Sequence, residues 1–296
     1  MIYLIHFYRC LKRFLKFPIQ FTIYLIKDLK KDYSKKPTTQ KVLVLGLPKS
    51  GTTMIEWILD EAGFVNQTIS ALRLFDIRNL NHHHDLSAQM LKLIPDNKNT
   101  FLKRHSEATK NNLDLIKTNN FKIIISIRNL FDVMISRYLH MISDKKLPQY
   151  TLYKNLGYIE GFKKSLIMNH REGEVPINIF ENWIENWLNV INHNRSQYCL
   201  LNYDDYKKDN LAYYKKIIQF LSLDELKADE LLNKNYANEK KLKNQNLENN
   251  LKSNLNAQTF NNRSSELRKI IKSDNDAISF FNSKVKNNKH KFLIKI

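Results

Sequence analysis

Short apolar segments alternate along this chain with longer segments whose apolar residues recur every three or four positions. Four apolar segments rich in branched and aromatic residues predict strands, at residues 42–45, 100–103, 121–127 and 198–202. Helical spacing predicts helices over residues 54–62, 128–142 and a segment that ends at 221. Gly63 and Asn129 are suited to end the first helix and to cap the second. Because alternating strands and helices favour a parallel sheet with crossover helices, we predict an α/β fold: a single domain with a central parallel β-sheet flanked by helices.

Composition divides the chain into a basic N-terminal segment, residues 1–36, and a main domain, residues 37–296. Residues 143–175 have a mixed pattern with one proline and three glycines, which predicts a lid or an insertion that contacts an acceptor. Residues 233–296 are rich in Asn and Lys and poor in large apolar residues until Phe280. This C-terminal region is predicted to be partly disordered.

The formal net charge of +19 over 296 residues indicates an anionic partner, such as an acidic glycan, a membrane lipid, a nucleic acid or a phosphorylated cofactor. The basic residues are scattered, without an Arg-rich arm or an RNP-like aromatic motif, so a nucleic acid is not expected. Cys10 and Cys199 lie far apart, which argues against a disulfide framework or a cysteine-based zinc site. A reducing, cytoplasmic location fits best.

The first 31 residues contain no apolar run close to the ~18–20 residues that span a bilayer. In a helix, Arg9, Lys12, Arg13 and Lys16 would share one face, and Pro18 would then interrupt the helix. A signal peptide is not expected, because no small-residue cleavage site follows. Two interpretations stay open: a basic amphipathic segment on an anionic membrane surface, making the protein peripheral to the membrane, or a helix packed on the domain.

A glycine-bounded loop, "GLPKSG", joins the first predicted strand to the first predicted helix. Gly46 and Gly51 have the separation of a Walker A loop, but Thr52 stands where that loop has its lysine, and the lysine is Lys49 instead. The amides of residues 49–53 can still hold a phosphate at the helix N-terminus. Ser50, Thr52 and Thr53 add hydroxyl donors. The displaced lysine is expected to point towards a group beyond that first phosphate.

Two further segments supply residues suited to a phosphate and to proton transfer. In "IISIRNLFDVMISRYLH", Arg128 ends a strand and Ser136 lies about two helical turns beyond Asn129. Arginine makes bidentate, permanently charged contacts with phosphate. In "TFLKRHSEAT", Lys103 and His105 are two apart at a strand end, so both can face one cleft.

The loop "LPKSGTT" resembles the 5′-phosphosulfate loop of the sulfotransferases that use 3′-phosphoadenosine 5′-phosphosulfate (PAPS). The segment that carries Arg128 and Ser136 resembles the same family's 3′-phosphate-binding segment. The segment that carries Lys103 and His105 resembles its K-T-H element. The resemblance covers roughly residues 41–221 and implies a P-loop-like nucleotide-binding fold.

The resemblance also implies roles in sulfonate transfer from PAPS to a hydroxyl or amine, without a metal. His105, with an ordinary pKa near ~6.5, would be the catalytic base. Lys49 would stabilise the bridging oxygen of the leaving group, and Lys103 would assist at the sulfonyl oxygens. Lys49, Ser50, Gly51, Thr52 and Thr53 would hold the 5′-phosphate, and Arg128 and Ser136 the 3′-phosphate. Tyr203, in "LLNYDDYKKD", would reach towards the adenine.

The chain departs from the family pattern at several positions. Met54 stands where many relatives have a tryptophan, and Ala237 and Asn238 replace the key residues of an adenine-binding stretch. The C-terminal R-K-G-x-x-G-D-W element, which wraps the 3′-phosphate in the family, is absent. The conceivable substitutes in "NNRSSELRKI" are Arg263, Arg268 and Lys269.

Other patterns leave alternatives open. Residues 82–85, "HHHD", suggest either a metal site or, because adjacent histidines do not converge easily on one ion, a loop at the surface or at the acceptor site. Trp183 and Trp187 predict a core stripe rather than a sugar-binding platform. A P-loop kinase or NTPase would require Mg²⁺ and the missing lysine, and a non-catalytic protein that binds membranes or nucleic acid is the third class. The acceptor is unidentified; the charge favours a glycan or a lipid.

Overall fold

A computed structural model describes residues 39–67, 86, 88–91, 94, 96–143, 147–153, 155–168, 175–193, 195–226, 228–234 and 256–286. The predicted membrane-surface segment at residues 1–31, the histidine cluster at residues 82–85 and positions 237 and 238 lie outside these residues. In the part of the chain that the structure describes, no helix is both long enough and apolar enough to cross a bilayer.

The central sheet contains five parallel strands in the described residues, in the order β2-β3-β1-β4-β5. The strands are β1 (Lys41–Gly46), β2 (Val65–Asn66), β3 (Thr100–Arg104), β4 (Phe121–Ile127) and β5 (Tyr198–Asn202). The predicted parallel sheet is confirmed, and each predicted strand matches an observed one to within a residue at either end. The two residues of β2 are too few to give a recognisable pattern in the sequence.

Helices connect the strands and cover both faces of the sheet. The first seven are α1 (Thr52–Glu61), α2 (Ala88–Leu91), α3 (Lys110–Thr118), α4 (Leu130–Ser143), α5 (Pro148–Tyr153), α6 (Tyr158–Ile167) and α7 (Pro176–His193). The later ones are α8 (Tyr203–Lys208), α9 (Asn210–Phe220), α10 (Asn256–Ser273) and α11 (Asn275–Lys284). A single predicted helix after β5 is in fact two, because the side chain of Asp209 caps a new helix by accepting from the amide of Ala212 at 2.9 Å.

Successive side chains of the strands point to opposite faces, and each face has its own core. On one face, Val42 and Val44 of β1 pack with Ile55 and Ile58 of α1 and with the apolar residues of α9. On the other face, apolar residues of β1 and β4 pack with α4, α6, α7, α10 and α11. Strands buried on both faces explain the continuous apolar runs of the sequence.

The predicted helix ends are confirmed in detail. After α1, the amide of Phe64 donates to the carbonyl of Leu59 and that of Gly63 to Asp60, the bond pattern of a Schellman motif. Before α4, the side chain of Asn129 accepts from the amide of Asp132 at 3.2 Å.

Two further regions contribute helices to the main core. Within the predicted insertion at residues 143–175, α6 packs Phe162 and Leu166 into the main core beside Tyr138. Within the C-terminal region, α10 and α11 bury Ile271 and Phe281 against the same core. A few apolar residues at helical spacing are enough to hold an otherwise polar helix on a large domain.

Candidate active site

The candidate residues meet where four strands end at the same edge of the sheet. The ladders pair Leu45 with Arg104, Gly46 with Ser126, and Ile127 with Asn202. Each candidate segment includes or follows one of these strand ends. Because parallel strands have their carboxyl ends at the same edge of the sheet, the candidate residues lie close together. In open α/β sheets this edge is the usual ligand-binding side.

The loop after β1 is closed by its own hydrogen bonds and by β4. The amide and the hydroxyl of Ser50 both donate to the carbonyl of Leu47, at 3.1 and 2.7 Å. The hydroxyl of Ser126 in turn donates to the carbonyl of Ser50 at 2.6 Å. Ser50 was predicted to offer its hydroxyl hydrogen to a ligand; it is fully buried, and that hydrogen closes the turn instead.

Both glycines of the loop are required by close packing. A Cβ at Gly46 would lie 2.5 Å from Thr52 Cγ2 and 2.9 Å from the carbonyl oxygen of Ser126. A Cβ at Gly51 would lie 2.1 Å from the ring of Tyr203, and Gly51 has a φ of 95° that favours glycine. Tyr203, predicted to approach the nucleotide, is therefore in contact with the loop.

Helix α1 begins at Thr52, directly after Gly51. The first amides of a helix lack hydrogen-bond partners within the helix. Those of Thr52 and Thr53 can therefore donate hydrogen bonds to a bound anion. The Thr52 side chain is buried and that of Thr53 is exposed. The helix thus begins directly after the loop, and phosphate binding there stays a prediction.

Arg128 joins the loop to β4 and β5. Its Nη1 donates to the carbonyl of Lys49 at 3.2 Å, and its guanidinium carbon lies 5.1 Å from the ring centroid of Tyr203. Asp132 and Asp204 flank it, with nitrogen–oxygen distances of 3.8 and 3.9 Å. Two motifs separated by 79 positions in the sequence are thus brought into direct contact.

Asp132, in the first turn of α4, is contacted by two cations from the C-terminal helix α10. Arg268 Nη1 lies 2.9 Å from one carboxylate oxygen, and Lys272 Nζ lies 3.1 Å from the other. Ser136 is half-buried on the same face of α4, four residues after Asp132. Within the part of the chain that the structure describes, Ser136 makes no hydrogen bond with the loop or with Arg128.

His105 follows β3, and its Nδ1 contacts the carbonyl oxygen of Gly46. A carbonyl can only accept, so Nδ1 carries the proton and the neutral ring has its lone pair on Nε2. The next residue, Ser106, is buried, and its carbonyl accepts from the indole nitrogens of Trp183 and Trp187 at 2.9 and 3.0 Å. The two tryptophans are core residues, as predicted, and they also hold the backbone beside His105.

Lys103 forms an ion pair with Glu56, a residue that has no predicted role. Glu56 lies on α1, and both side chains are largely buried. Lys49 lies near enough that the pKa of Lys49 is lowered, first by burial and then by the positive charge of Lys103. A contact between Lys103 and a sulfonyl oxygen stays a prediction, and it would require Lys103 to share or leave Glu56.

The structure thus brings Lys49, Ser50, Gly51, Arg128 and Tyr203 together and places His105 at the start of the same loop. Sequence reasoning missed the supporting residues Glu56, Ser126, Asp132 and Asp204. Asp132 and Asp204 were detectable in principle, because each is a carboxylate in one of the quoted motifs. Glu56 gave no signal, since a Glu on a helix is ordinarily a solvated residue.

Known proteins resemble this chain in sequence and in structure. The sequence profile of the sulfotransferase domain matches residues 39–290. Among solved structures, mouse sulfotransferase SULT7A1 complexed with PAP matches with a TM-score of 0.48 and 20% identity, over 67% of this chain and 65% of that chain. Retinol dehydratase in complex with retinol and PAP matches with a TM-score of 0.41 and 17% identity, over 70% of this chain and 67% of that one. The search of curated sequences gave no match.

Proposed function

This chain belongs to the sulfotransferase family, and from this premise we propose that it transfers a sulfonate group from PAPS to a hydroxyl or an amine. The observation that carries the proposal is the contact between Arg128 and the backbone of Lys49. It places a cation suited to one phosphate beside a loop suited to another. A donor with two separate phosphates, such as PAPS, fits that arrangement.

The residues present fit such a donor. Of the five N–H groups of Arg128, one donates to a described residue, so others remain for phosphate oxygens. The start of α1 offers amides to the 5′-phosphate, and Tyr203 lies between the two positions, against both Gly51 and Arg128. Ser136 lies further along α4 and is proposed to contact the 3′-phosphate.

His105 is proposed to take the proton of the acceptor. As the acceptor oxygen or nitrogen forms a bond to sulfur, its proton passes to Nε2, which carries the lone pair. The bond between sulfur and the bridging phosphate oxygen breaks, and its electron pair leaves with adenosine 3′,5′-bisphosphate. The contact with Gly46 holds the tautomer in which Nε2 can act as the base.

Lys49 is proposed to stabilise the charge that develops on the bridging oxygen. It lies in the loop at a φ of 73°, a backbone conformation that side-chain-bearing residues adopt rarely. Burial and the Lys103 charge disfavour its ammonium in the absence of an anion, so an anionic group nearby would relieve both effects. This is electrostatic catalysis by a preplaced donor.

The acceptor is proposed to be a glycan or a lipid, on the basis of the net charge of +19 alone. A peripheral membrane location through residues 1–31 would suit a lipid acceptor. The family assignment itself supports sulfonate transfer without choosing between acceptors.

Calorimetry with adenosine 3′,5′-bisphosphate, ADP and ATP·Mg²⁺ tests the proposal directly. We expect tight binding of the bisphosphate without added metal and much weaker binding of ADP. A preference for ATP·Mg²⁺ would indicate a kinase or NTPase. Absence of all nucleotide binding would leave the non-catalytic alternative.

A further inference from the structure

The strongest unexplained feature of the described residues is a largely buried ion pair at the edge of the sheet where the candidate site lies. The ammonium of Lys103, next to the end of β3, contacts the carboxylate of Glu56, in the second turn of α1. The exposed fractions of the two side chains are only 22% and 14%. The proposed function uses Lys103 and gives Glu56 no role.

A contribution to stability does not account for this pair by itself. Moving two charges out of water carries a desolvation cost that their mutual attraction offsets only in part. A buried pair is therefore often no more stabilising than two apolar residues of the same size. Apolar side chains do fill the neighbouring positions of α1, where Ile55 and Ile58 are fully buried against the sheet. The pair is better explained by its effect on the position of the Lys103 ammonium.

Glu56 connects two parts of the candidate site. It lies four residues, or about one helical turn, after Thr52, the first residue of α1, whose amide is suited to a phosphate. Lys103 lies opposite Val44 of β1 in the sheet, two positions before His105. The ion pair therefore holds a cation between the helix that starts at the loop and the strand that leads to the proposed base.

The pair also opposes the repulsion between two neighbouring lysines. Burial and then the positive charge of Lys103 lower the pKa of Lys49, so the two ammonium groups are close enough to repel each other. Among the described residues, the salt bridges include a carboxylate partner for Lys103 and none for Lys49. A lysine has a flexible stem, and without an anchor it would turn away from such a neighbour. Glu56 prevents that movement.

An ammonium that contacts one carboxylate can still bind a ligand. The Lys103 ammonium has three N–H donors, and Glu56 contacts it through one oxygen, Oε2. The contact with Glu56 therefore does not prevent Lys103 from donating to a sulfonyl oxygen. Lys103 would share its donors between the two groups, and its position would be set before the donor binds.

We propose that Glu56 is a positioning residue, which holds the Lys103 ammonium beside the point that the sulfonyl oxygens of PAPS occupy. The inference rests on the proposed function, because it takes PAPS as the donor. Glu56 does not touch the donor, since a carboxylate repels anionic oxygens, and it acts through Lys103. Because Lys103 is already ordered, less conformational freedom is lost when the sulfonyl group binds.

Calorimetry on the full chain with PAPS and with adenosine 3′,5′-bisphosphate, without an acceptor, tests this role. The two ligands share the nucleoside and both phosphates, and only PAPS has the sulfonyl group. A change in the ratio of their dissociation constants between variants therefore reports contacts with that group. Lys103→Met should weaken PAPS relative to the bisphosphate by about 10- to 100-fold. Glu56→Gln should do so by about threefold to tenfold, because Lys103 remains but is no longer held.

Further variants separate positioning from a loss of structure. Glu56→Asp keeps the charge on a shorter side chain and should restore part of the relative affinity for PAPS. In a Lys103→Met background, Glu56→Gln should leave the ratio unchanged, because Glu56 acts through Lys103. Glu61→Gln is the matched control: Glu61 ends the same helix, five residues beyond Glu56, and this variant should bind both ligands as the wild type does. Thermal unfolding without ligand compares the stability of all variants.

The outcomes separate this inference from the function on which it rests. If the wild type does not bind PAPS, the proposed function is wrong and this inference with it. If the wild type binds PAPS but Glu56→Gln leaves the ratio unchanged, only the positioning role is overturned. A ratio shifted in favour of PAPS would also overturn it, because Glu56 would then compete with the donor for Lys103.

Two other results would contradict the positioning role while the proposed function stands. Equal weakening of both ligands by Glu56→Gln, with a lower Tm, would mean that the pair only holds α1 against β3. An effect of Glu56→Gln on the ratio that persists in the Lys103→Met background would mean that Glu56 does not act through Lys103.

Discussion

The half of the sheet edge formed by β4 and β5 differs from the half formed by β3 in the forces that hold its side chains. Around β4 and β5, charged groups dominate: Arg128 lies among Asp132, Asp204 and the ring of Tyr203. Around β3, one ion pair joins Lys103 to Glu56. The imidazole of His105 contacts a backbone carbonyl, and the carbonyl of the residue after it accepts from two indole nitrogens.

This difference suggests that one half of the edge binds the donor and the other positions the catalytic base. Charged side chains can exchange one charged partner for another, which suits reversible binding of an anion. Buried hydrogen bonds between neutral groups fix position, which suits a base that must meet its substrate at one distance. Changes in the first half should alter affinity for the bisphosphate, and changes in the second should alter the rate.

The largest effect is expected from His105→Ala, in the β3 half. Loss of a general base typically lowers kcat by about 10²- to 10⁴-fold. The dissociation constant of adenosine 3′,5′-bisphosphate should change little, because His105 lies outside the charged half. Steady-state kinetics and calorimetry on the same preparation measure both.

His193→Ala is the control for this variant, because His193 is exposed at the end of α7. It should leave both quantities unchanged. Normal activity in His105→Ala would show that this residue is not the catalytic base. It would also contradict the proposal that residues near β3 determine kcat.

The second effect is expected from Arg128→Ala, which should weaken bisphosphate binding by about 10- to 100-fold, the range for losing a hydrogen bond to a charged group. Because the lost interaction is electrostatic, the difference from the wild type should shrink as salt is raised. Calorimetry over a series of NaCl concentrations measures this dependence.

Arg128→Lys sharpens the result, since it keeps the charge and loses the bidentate geometry; we expect an intermediate affinity. An unchanged dissociation constant in Arg128→Ala would refute the binding role. A salt-independent loss would show instead that the variant had disrupted the loop through the Lys49 carbonyl.

The sequence predicted the charged half better than it predicted the other. Glycine spacing, a strand-ending arginine and a capped helix are local patterns, and the parallel topology places them together without further information. For this reason the sequence alone predicts that Gly51, Arg128 and Tyr203, which come from three separate segments, lie close together.

Contacts that depend on packing between distant helices were not predictable in this way. The bond from Trp183 to Ser106 spans 77 positions, and that from Arg268 to Asp132 spans 136. Neither has a local pattern, because the crossing of α7 and α10 over the sheet is decided by the whole core. The same limit applies to the Asn- and Lys-rich C-terminal region, where the composition predicts partial disorder and the packing of a few buried apolar residues holds α10 and α11 in place.

A smaller effect is expected from Trp183→Phe and Trp187→Phe. Each variant keeps an aromatic ring and removes one N–H donor from the carbonyl of Ser106. A single hydrogen bond contributes about 0.5–1.5 kcal/mol, so we expect kcat to fall by about threefold to tenfold per variant while bisphosphate affinity is maintained.

Trp57→Phe is the control, because Trp57 packs on the opposite face of the sheet, against Tyr214. This variant should lower the free energy of unfolding and leave both kcat and the dissociation constant of the bisphosphate unchanged. If both indole variants weakened donor binding as much as they slowed turnover, the two halves of the edge would not be separable.

The smallest effect is a gain in stability from Lys49→Met, at a position where activity should be lost. Burial and the charge of Lys103 lower the pKa of Lys49 below its ordinary value of 10.5. A lysine whose pKa is lower in the folded state destabilises the fold wherever both states are protonated, and this penalty disappears as pH rises through the folded-state pKa towards 10.5. At pH 7 we expect a gain of about 0.2–1 kcal/mol in the free energy of unfolding, the range for partly exposed charge contacts.

Urea unfolding of the wild type and of Lys49→Met at pH 7 and near pH 10 measures this gain, with Lys49→Gln as a control for the apolar character of Met. The advantage of both variants should decrease at the higher pH. A gain that is independent of pH would mean that packing, not charge, is responsible. A loss of stability at pH 7 would mean that the Lys49 ammonium is already satisfied by the protein, and its proposed readiness for the charge of the leaving group would have to be abandoned.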